Sequence, residues 1–211
     1  MIVVEFPRWR LAGSRKENRM RSYRLAAAAL LFACGPVLLP AQSFSLGGGG
    51  VYASLNGSDF DGFGSGLGVD AQFRYHARGG VSIGGGVQYT SHDITGVDPN
   101  LGVRAFFADV RYSFERASSP SITPYIGARA ALAHYGVSQG GNSATANGTA
   151  FGPAGGMLIR LAPTTQLDVG LVWYSVHFGN FSANGVEQAD TKSSGSSLAL
   201  RAGVVFGFGK K

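Results

Sequence analysis

The sequence predicts an all-β chain, an eight-stranded antiparallel up-and-down transmembrane β-barrel with a side-chain-filled lumen, on three observations. Apolar residues alternate with small or polar ones at period 2 in eight stretches, with no competing helical stripe. The segments between these stretches alternate strictly between short and long. Charged residues within the stretches fall on one face only, and the other face is continuously apolar.

The first 41 of the 211 residues stand apart from this pattern, holding 7 of the 18 Lys and Arg, 2 of the 12 acids and the only cysteine. From Met20 the chain reads MRSYRLAAAALLFACGPVLLPAQS, with Arg21 and Arg24, an apolar run from Leu25 to Leu39, then Pro40-Ala41. That is the anatomy of a secretory signal peptide with its functional start at Met20 and cleavage after Ala41. The run has 15 residues and is broken by Gly35-Pro36, short of the roughly 20 that a spanning helix needs. Leu31-Phe32-Ala33-Cys34 also resembles the lipid-attachment pattern of bacterial lipoproteins, although Phe32 is bulky where that pattern has a small residue.

Residues 42–211 form the predicted barrel domain and carry 11 basic and 10 acidic side chains. This near-neutral balance lacks the basic face that nucleic-acid binding needs. Without the leader there is no cysteine, which excludes disulfide scaffolds and cysteine metal sites. Gly accounts for 31 of these 170 residues, but the alternating Phe, Tyr, Val and Leu exclude a disordered chain.

The stretches run from Phe44 to Leu55, Ser65 to Ala77, Gly80 to Ser91, Leu101 to Phe114, Ile122 to Val137, Thr149 to Ala162, Gln166 to Phe178 and Gly195 to Phe208. Arg78-Gly79, Glu115 to Ser121 and Pro163 to Thr165 are the short connections. Asn56 to Gly64, His92 to Asn100, Ser138 to Gly148 and Gly179 to Ser194 are the long ones, rich in Gly, Asn, Ser and Asp. A meander therefore puts all short turns at one end, as in outer-membrane barrels.

In the second stretch Leu67, Val69, Ala71, Phe73 and Tyr75 oppose Gly68, Asp70, Gln72, Arg74 and His76. The fourth sets Phe106, Ala108, Val110, Tyr112 and Phe114 against Asp109, Arg111 and Ser113, and the fifth sets Ile126, Ala128, Ala130 and Leu132 against Tyr125, Gly127 and Arg129. A soluble sandwich or lipocalin-like barrel also alternates, but its polar face carries many Lys and Glu. Here that face is mostly Gly and Ala with isolated Asp and Arg, suited to a cramped lumen.

Aromatic residues gather near stretch ends, with Phe73, Tyr75, Tyr112, Phe114, Phe206 and Phe208 on the short-turn side. Tyr89, Phe151, Trp173 and Phe178 lie toward the long loops, as two interfacial belts require. Pro124 and Pro153 lie inside stretches, where a bulge or strand end must absorb the missing N–H. The run Gly47 to Gly50 leaves the first stretch's register open.

With the signal peptide, Pro124-Tyr125-Ile126-Gly127 and the last stretch Arg201-Ala202-Gly203-Val204-Val205-Phe206-Gly207-Phe208, the chain resembles small eight-stranded bacterial outer-membrane β-barrel proteins of the OmpA, OmpX and opacity-protein type. The resemblance spans Gln42 to Lys211. It implies an assembly signal at Arg201, Gly203, Phe206 and Phe208, read by the barrel-assembly machinery after periplasmic chaperones. Many members end on the aromatic residue, whereas Gly209-Lys210-Lys211 follow here. It also implies a monomer in the bacterial outer membrane, surrounded by lipid and lipopolysaccharide. Four loops are then extracellular and both termini periplasmic, with no peptidoglycan-binding domain after the last strand.

The charged lumen set is Asp70, Asp109 and Asp168 with Arg74, Arg111, Arg129, Arg160 and Arg201. In a low dielectric these groups must neutralise one another, and bidentate pairs are the expected form. The expected role is structural or adhesive, with loops presented at the surface. The alternative is a narrow gated pore, anion-leaning because five arginines exceed three acids.

An acyl hydrolase is the enzymatic alternative, with Ser175 and His177 two residues apart on one strand. Lipid A deacylases carry His followed two positions later by Ser, whereas His177 is followed by Gly179, and only Glu187 offers an orienting carboxylate. The expectation is therefore a protein that is not an enzyme. No cofactor or metal is expected, since His76, His92, His134 and His177 lack ligand spacing. Asp59, Asp61, Asp93 and Asp98 read as solvated loop acids, with cation bridging the alternative. The Gly runs at 47–50 and 84–86 lack the helix and Lys-Ser/Thr of a phosphate loop.

Overall fold

The computed structural model describes residues 43–94, 97–114, 121–139 and 142–208. The leader, its start and cleavage sites, and Gly209-Lys210-Lys211 lie outside them.

The described chain is a meander of strands β1 (Ser43–Asn56), β2 (Phe63–His76), β3 (Val81–Ile94), β4 (Val97–Ser113), β5 (Ile122–Gln139), β6 (Asn142–Ala162) and β7 (Thr165–Phe178). It continues through the two-residue strands β8 (Ser182–Ala183) and β9 (Val186–Glu187) to β10 (Ser193–Phe208). Strands β1 to β7 each pair antiparallel with their sequence neighbour, and β10 closes the ring between β7 and β1. Eight strands make the wall. Closure leaves no free edge, so the backbone polar groups are satisfied within the sheet even where hydrocarbon surrounds it.

The register assigns faces as the alternation predicts. Leu67 is 71% exposed and Phe106 69%, whereas Asp168 is 0% exposed, so the apolar face is outside and the charges are inside, with one correction: Arg104 of β4 shares the outward parity of Phe106 and is exposed. In β1 the open register resolves with Ser45, Gly47, Val51 and Ala53 inward and Phe44, Leu46 and Tyr52 outward. One belt assignment is corrected: Phe178 is buried in the lumen, because it shares the inward parity of Asp168 on β7.

The outer-end connections also differ from expectation. β3 and β4 pair up to Ile94↔Val97, and β5 and β6 up to Gln139↔Asn142, so two segments expected as irregular loops are ladder almost to their tips. In the last connection β8 and β9 form a small hairpin around Asn184-Gly185, with φ of 49° and 80°, the left-handed pair of a type I′ turn. β8 pairs with the outer part of β6 through Ala144↔Ala183 and Thr145↔Ser182.

Pro124 lies one residue beyond the last β4–β5 pair, Ser113↔Tyr125, and so occupies a strand end on that side. Pro153 has no bulge. The β6–β7 ladder omits Gly152 and Pro153 and resumes in the same register, Phe151↔Ser175 then Ala154↔Val172, while the β5 side keeps Ala128↔Pro153. The missing N–H interrupts the ladder without displacing it.

Candidate functional site

The lumen has two tiers. The tier toward the short turns is an ion network contributed by β2, β4, β5, β7 and β10. Asp109 sits between three guanidiniums: Arg74 Nη2 is 2.7 Å from Oδ1, Arg129 Nη2 is 2.7 Å from Oδ2, and Arg111 Nη2 is 3.4 Å from Oδ2. Arg111 Nη1 continues to Asp168 Oδ2 at 2.9 Å. Asp168 also accepts from Arg201 Nη1 and, at 2.8 Å, from the Tyr125 hydroxyl. Arg201 Nε ends the chain on Asp70 Oδ2 at 2.5 Å.

These are shared ions, not the separate bidentate pairs expected. Arg129 places Nε and Nη2 on the same oxygen of Asp109, and Arg201 divides its donors between two carboxylates. With four guanidiniums for three carboxylates, sharing leaves no cation without an acid. Arg74 meets Asp109 Oδ1 as an ion pair without hydrogen-bond geometry. Gln72 adds neutral links, accepting from Arg74 and Arg111 and donating to Asp168. Tyr125 and Phe107 lie under Arg111 and Arg129, with the guanidinium carbons 4.5 and 3.9 Å from the ring centroids.

Glycines make this packing fit. A Cβ on Gly84 would stand 2.9 Å from Arg74 Nη2, and one on Gly156 would stand 2.6 Å from the Tyr125 hydroxyl. The Gly-rich inner face is the space that the network occupies.

Arg160 is corrected out of the network. It has the inward parity, but it is exposed near the short-turn end of β6, at the register shift between Arg160 and Ala162. Strand parity alone does not show whether a position reaches the closed part of the lumen. The buried set therefore carries one excess positive charge, not two, and the expected anion bias shrinks with it. Gln72, Phe107 and Ser82, whose hydroxyl accepts from Arg74 Nη1 at 3.4 Å, were missed as contributors, although each shares a strand and parity with a named charge or lies opposite one.

The outer tier is apolar: Val51, Phe107, Ala131, Val172, Tyr174, Val176 and Phe178 belong to one buried cluster. Phe60 caps it from a short 3₁₀ turn, Ser58–Phe60, where Gly57 at φ 130° turns the chain inward. Its ring is 6.1 Å edge-on from Phe178, which is 4.9 Å from Tyr135. A cavity of about 200 Å³ remains at the mouth, bordered by Leu55, Phe60, Phe63, Tyr135, Phe178 and Phe181 among others. Phe60 lies outside the alternating stretches, so parity gave no signal for it.

The other candidate residues are dispersed. Ser175 and His177 lie on the outward face of β7 with no mutual hydrogen bond among the described residues, and Glu187 accepts instead from Asn180 Nδ2 at 3.0 Å. Asp59 accepts from the Ser194 backbone N–H at 2.9 Å, tying the first outer loop to β10. The Asp98 side chain lies outside the described residues. His92 is buried between Thr90 Oγ1 and Gly64 O, each 3.1 Å away. Arg201 and Gly203 of the assembly signal face inward, while Phe206 and Phe208 face outward.

A closed antiparallel barrel with a lipid-compatible exterior and a packed polar interior defines the outer-membrane barrel class. Residues 25–206 match the family described as outer membrane protein beta-barrel domain, and the chain belongs to it. Among solved structures it is similar to Neisserial surface protein A (TM-score 0.55, 20% identity), over 79% of this chain and 97% of that one. It is also similar to a major outer membrane protein from Thermus thermophilus (0.52, 18%, 80% and 100%). The attachment invasion locus protein of Yersinia pestis gives 0.48 at 14% identity, over 81% and 100%. No curated protein matches. The protein is thus an integral barrel of the bacterial outer membrane, and its short turns are the periplasmic ones.

Proposed function

We propose that the protein is a closed structural barrel whose activity lies in its outer surface, as an envelope component with an adhesive role. The supporting observation is the doubly filled lumen, with an ion network beneath and an aromatic plug above it. A pore needs a continuous polar path, and the cluster around Phe107, Tyr174 and Phe178 interrupts one. The outer end instead carries two long hairpins and the β8–β9 hairpin held to β6 by paired bonds between Ser143 and Asn184, both 2.8 Å. Assembly through the β10 signal, with Phe206 and Phe208 presented outward, belongs to the same proposal.

The test compares cells bearing the protein, cells without it, and cells in which residues 180–191 are replaced by a short Gly-Ser turn. Expressing cells are expected to be retained on matrix-protein-coated glass, with retention lost on replacement while the heat-dependent gel shift of a folded barrel persists. Equal retention of all three strains overturns the adhesive role.

A further inference from the structure

On the lipid-facing side the register aligns Tyr89, Arg104, His134 and Asn147 on four adjacent strands, β3 to β6. Arg104 is exposed and has no hydrogen-bond or ion-pair partner among the described residues. His134 Nδ1 meets Asn147 Oδ1 at 2.9 Å, which leaves its Nε2 unpartnered there. In the next outward position Gly102 stands opposite Gly136, and a Cβ on Gly102 would meet the Tyr89 hydroxyl at 3.4 Å. Four polar side chains thus border a patch of wall without side chains.

Height fixes what this patch meets. Arg104 lies eight residues along β4 from Tyr112 of the periplasmic aromatic belt, with only Val110, Ala108 and Phe106 facing outward between them. At the usual strand rise and tilt this is roughly 20 Å, close to the full height of an outer-membrane apolar band. The guanidinium therefore stands where the headgroups of the outer leaflet begin. Directly below it the outward row reads Val87, Phe106, Leu132 and Thr149, in which Phe106 and Leu132 are 69% and 66% exposed and offer an apolar surface to an acyl chain.

The geometry assigns to this patch a binding site for an anionic glycolipid of the outer leaflet. A phosphate is held by Arg104, its sugar hydroxyls meet the Tyr89 hydroxyl, the Asn147 amide and the His134 Nε2, which accepts because Nδ1 donates to Asn147, and an acyl chain packs over Phe106 and Leu132. Arg is suited to this ligand because its planar donor fork matches two phosphate oxygens. The site rests on the outer-membrane location given by the family and is independent of whether the lumen conducts.

The test uses the refolded barrel in detergent micelles, with native mass spectrometry reading its affinity for diphosphoryl lipid A, dephosphorylated lipid A and inorganic phosphate. Wild type is expected to retain diphosphoryl lipid A about tenfold more tightly than the Arg104→Gln/His134→Gln variant, the equivalent of one charge-assisted contact. Arg104→Lys retains most of the affinity, and Arg160→Gln, at the opposite end, leaves it unchanged. Dephosphorylated lipid A binds wild type no better than diphosphoryl lipid A binds the double variant. Equal retention by wild type and double variant overturns the site. So does indifference to the lipid's phosphates, and so does displacement by inorganic phosphate at the lipid's own affinity, which would make it a site for the free ion. Both substituted side chains are exposed, and the heat-dependent gel shift verifies folding of each variant.

Discussion

The two tiers of the lumen fill the same barrel by opposite chemistry. The periplasmic tier is held by charges that need every partner, since Asp168 receives two arginines, a tyrosine and a glutamine with no access to water. The outer tier is held by shape, with Phe60, Tyr135 and Phe178 in edge contacts beside a remaining cavity. A charge network fails when one member is removed, because the others become uncompensated in a low dielectric. An apolar packing loses contacts roughly in proportion to the atoms deleted.

The sharpest way to break this contrast is Asp168→Ala, which leaves Arg111 and Arg201 short of an acid. A cost of about 3–5 kcal/mol in denaturant unfolding from vesicles is expected. Phe178→Ala in the outer tier should cost about 3 kcal/mol, the low end for a buried ring, because the site already borders a cavity. If the two costs are reversed, the periplasmic tier is hydrated and its charges are not interdependent. Tyr125→Phe removes one donor to Asp168 and keeps the ring beneath Arg111, so about 1.5 kcal/mol is expected. Arg160→Gln should change stability by no more than about 0.5 kcal/mol, and a larger loss would restore Arg160 to the network.

The periodicity carried the fold almost completely, because a closed wall between lipid and a packed lumen imposes period 2 on every strand. The same parity located Asp70, Arg74, Asp109, Arg111, Arg129, Asp168 and Arg201. It failed at Arg160, where depth along the strand decides burial, whereas at Phe178 parity pointed inward and the belt assignment from nearness to a stretch end was wrong. The outer plug was legible only in part. Tyr174, Val176 and Phe178 share the parity of Asp168, but Phe60 enters from a loop whose inward turn is set by Gly57. The β8–β9 hairpin had its signal in Asn184-Gly185, the dipeptide that a type I′ turn favours. How the charges divide among themselves is not written in any local pattern, since the network joins strands far apart in sequence.

The claim that the lumen is a packed core and not a path is tested most directly by planar-bilayer conductance of the wild-type barrel beside Phe178→Ala and the Phe178→Ala/Asp168→Asn double variant. Wild type should give no stepwise current, Phe178→Ala little, and the double variant, with both tiers opened, clear steps. Stepwise current through the wild-type protein, unchanged by either substitution, would contradict the account.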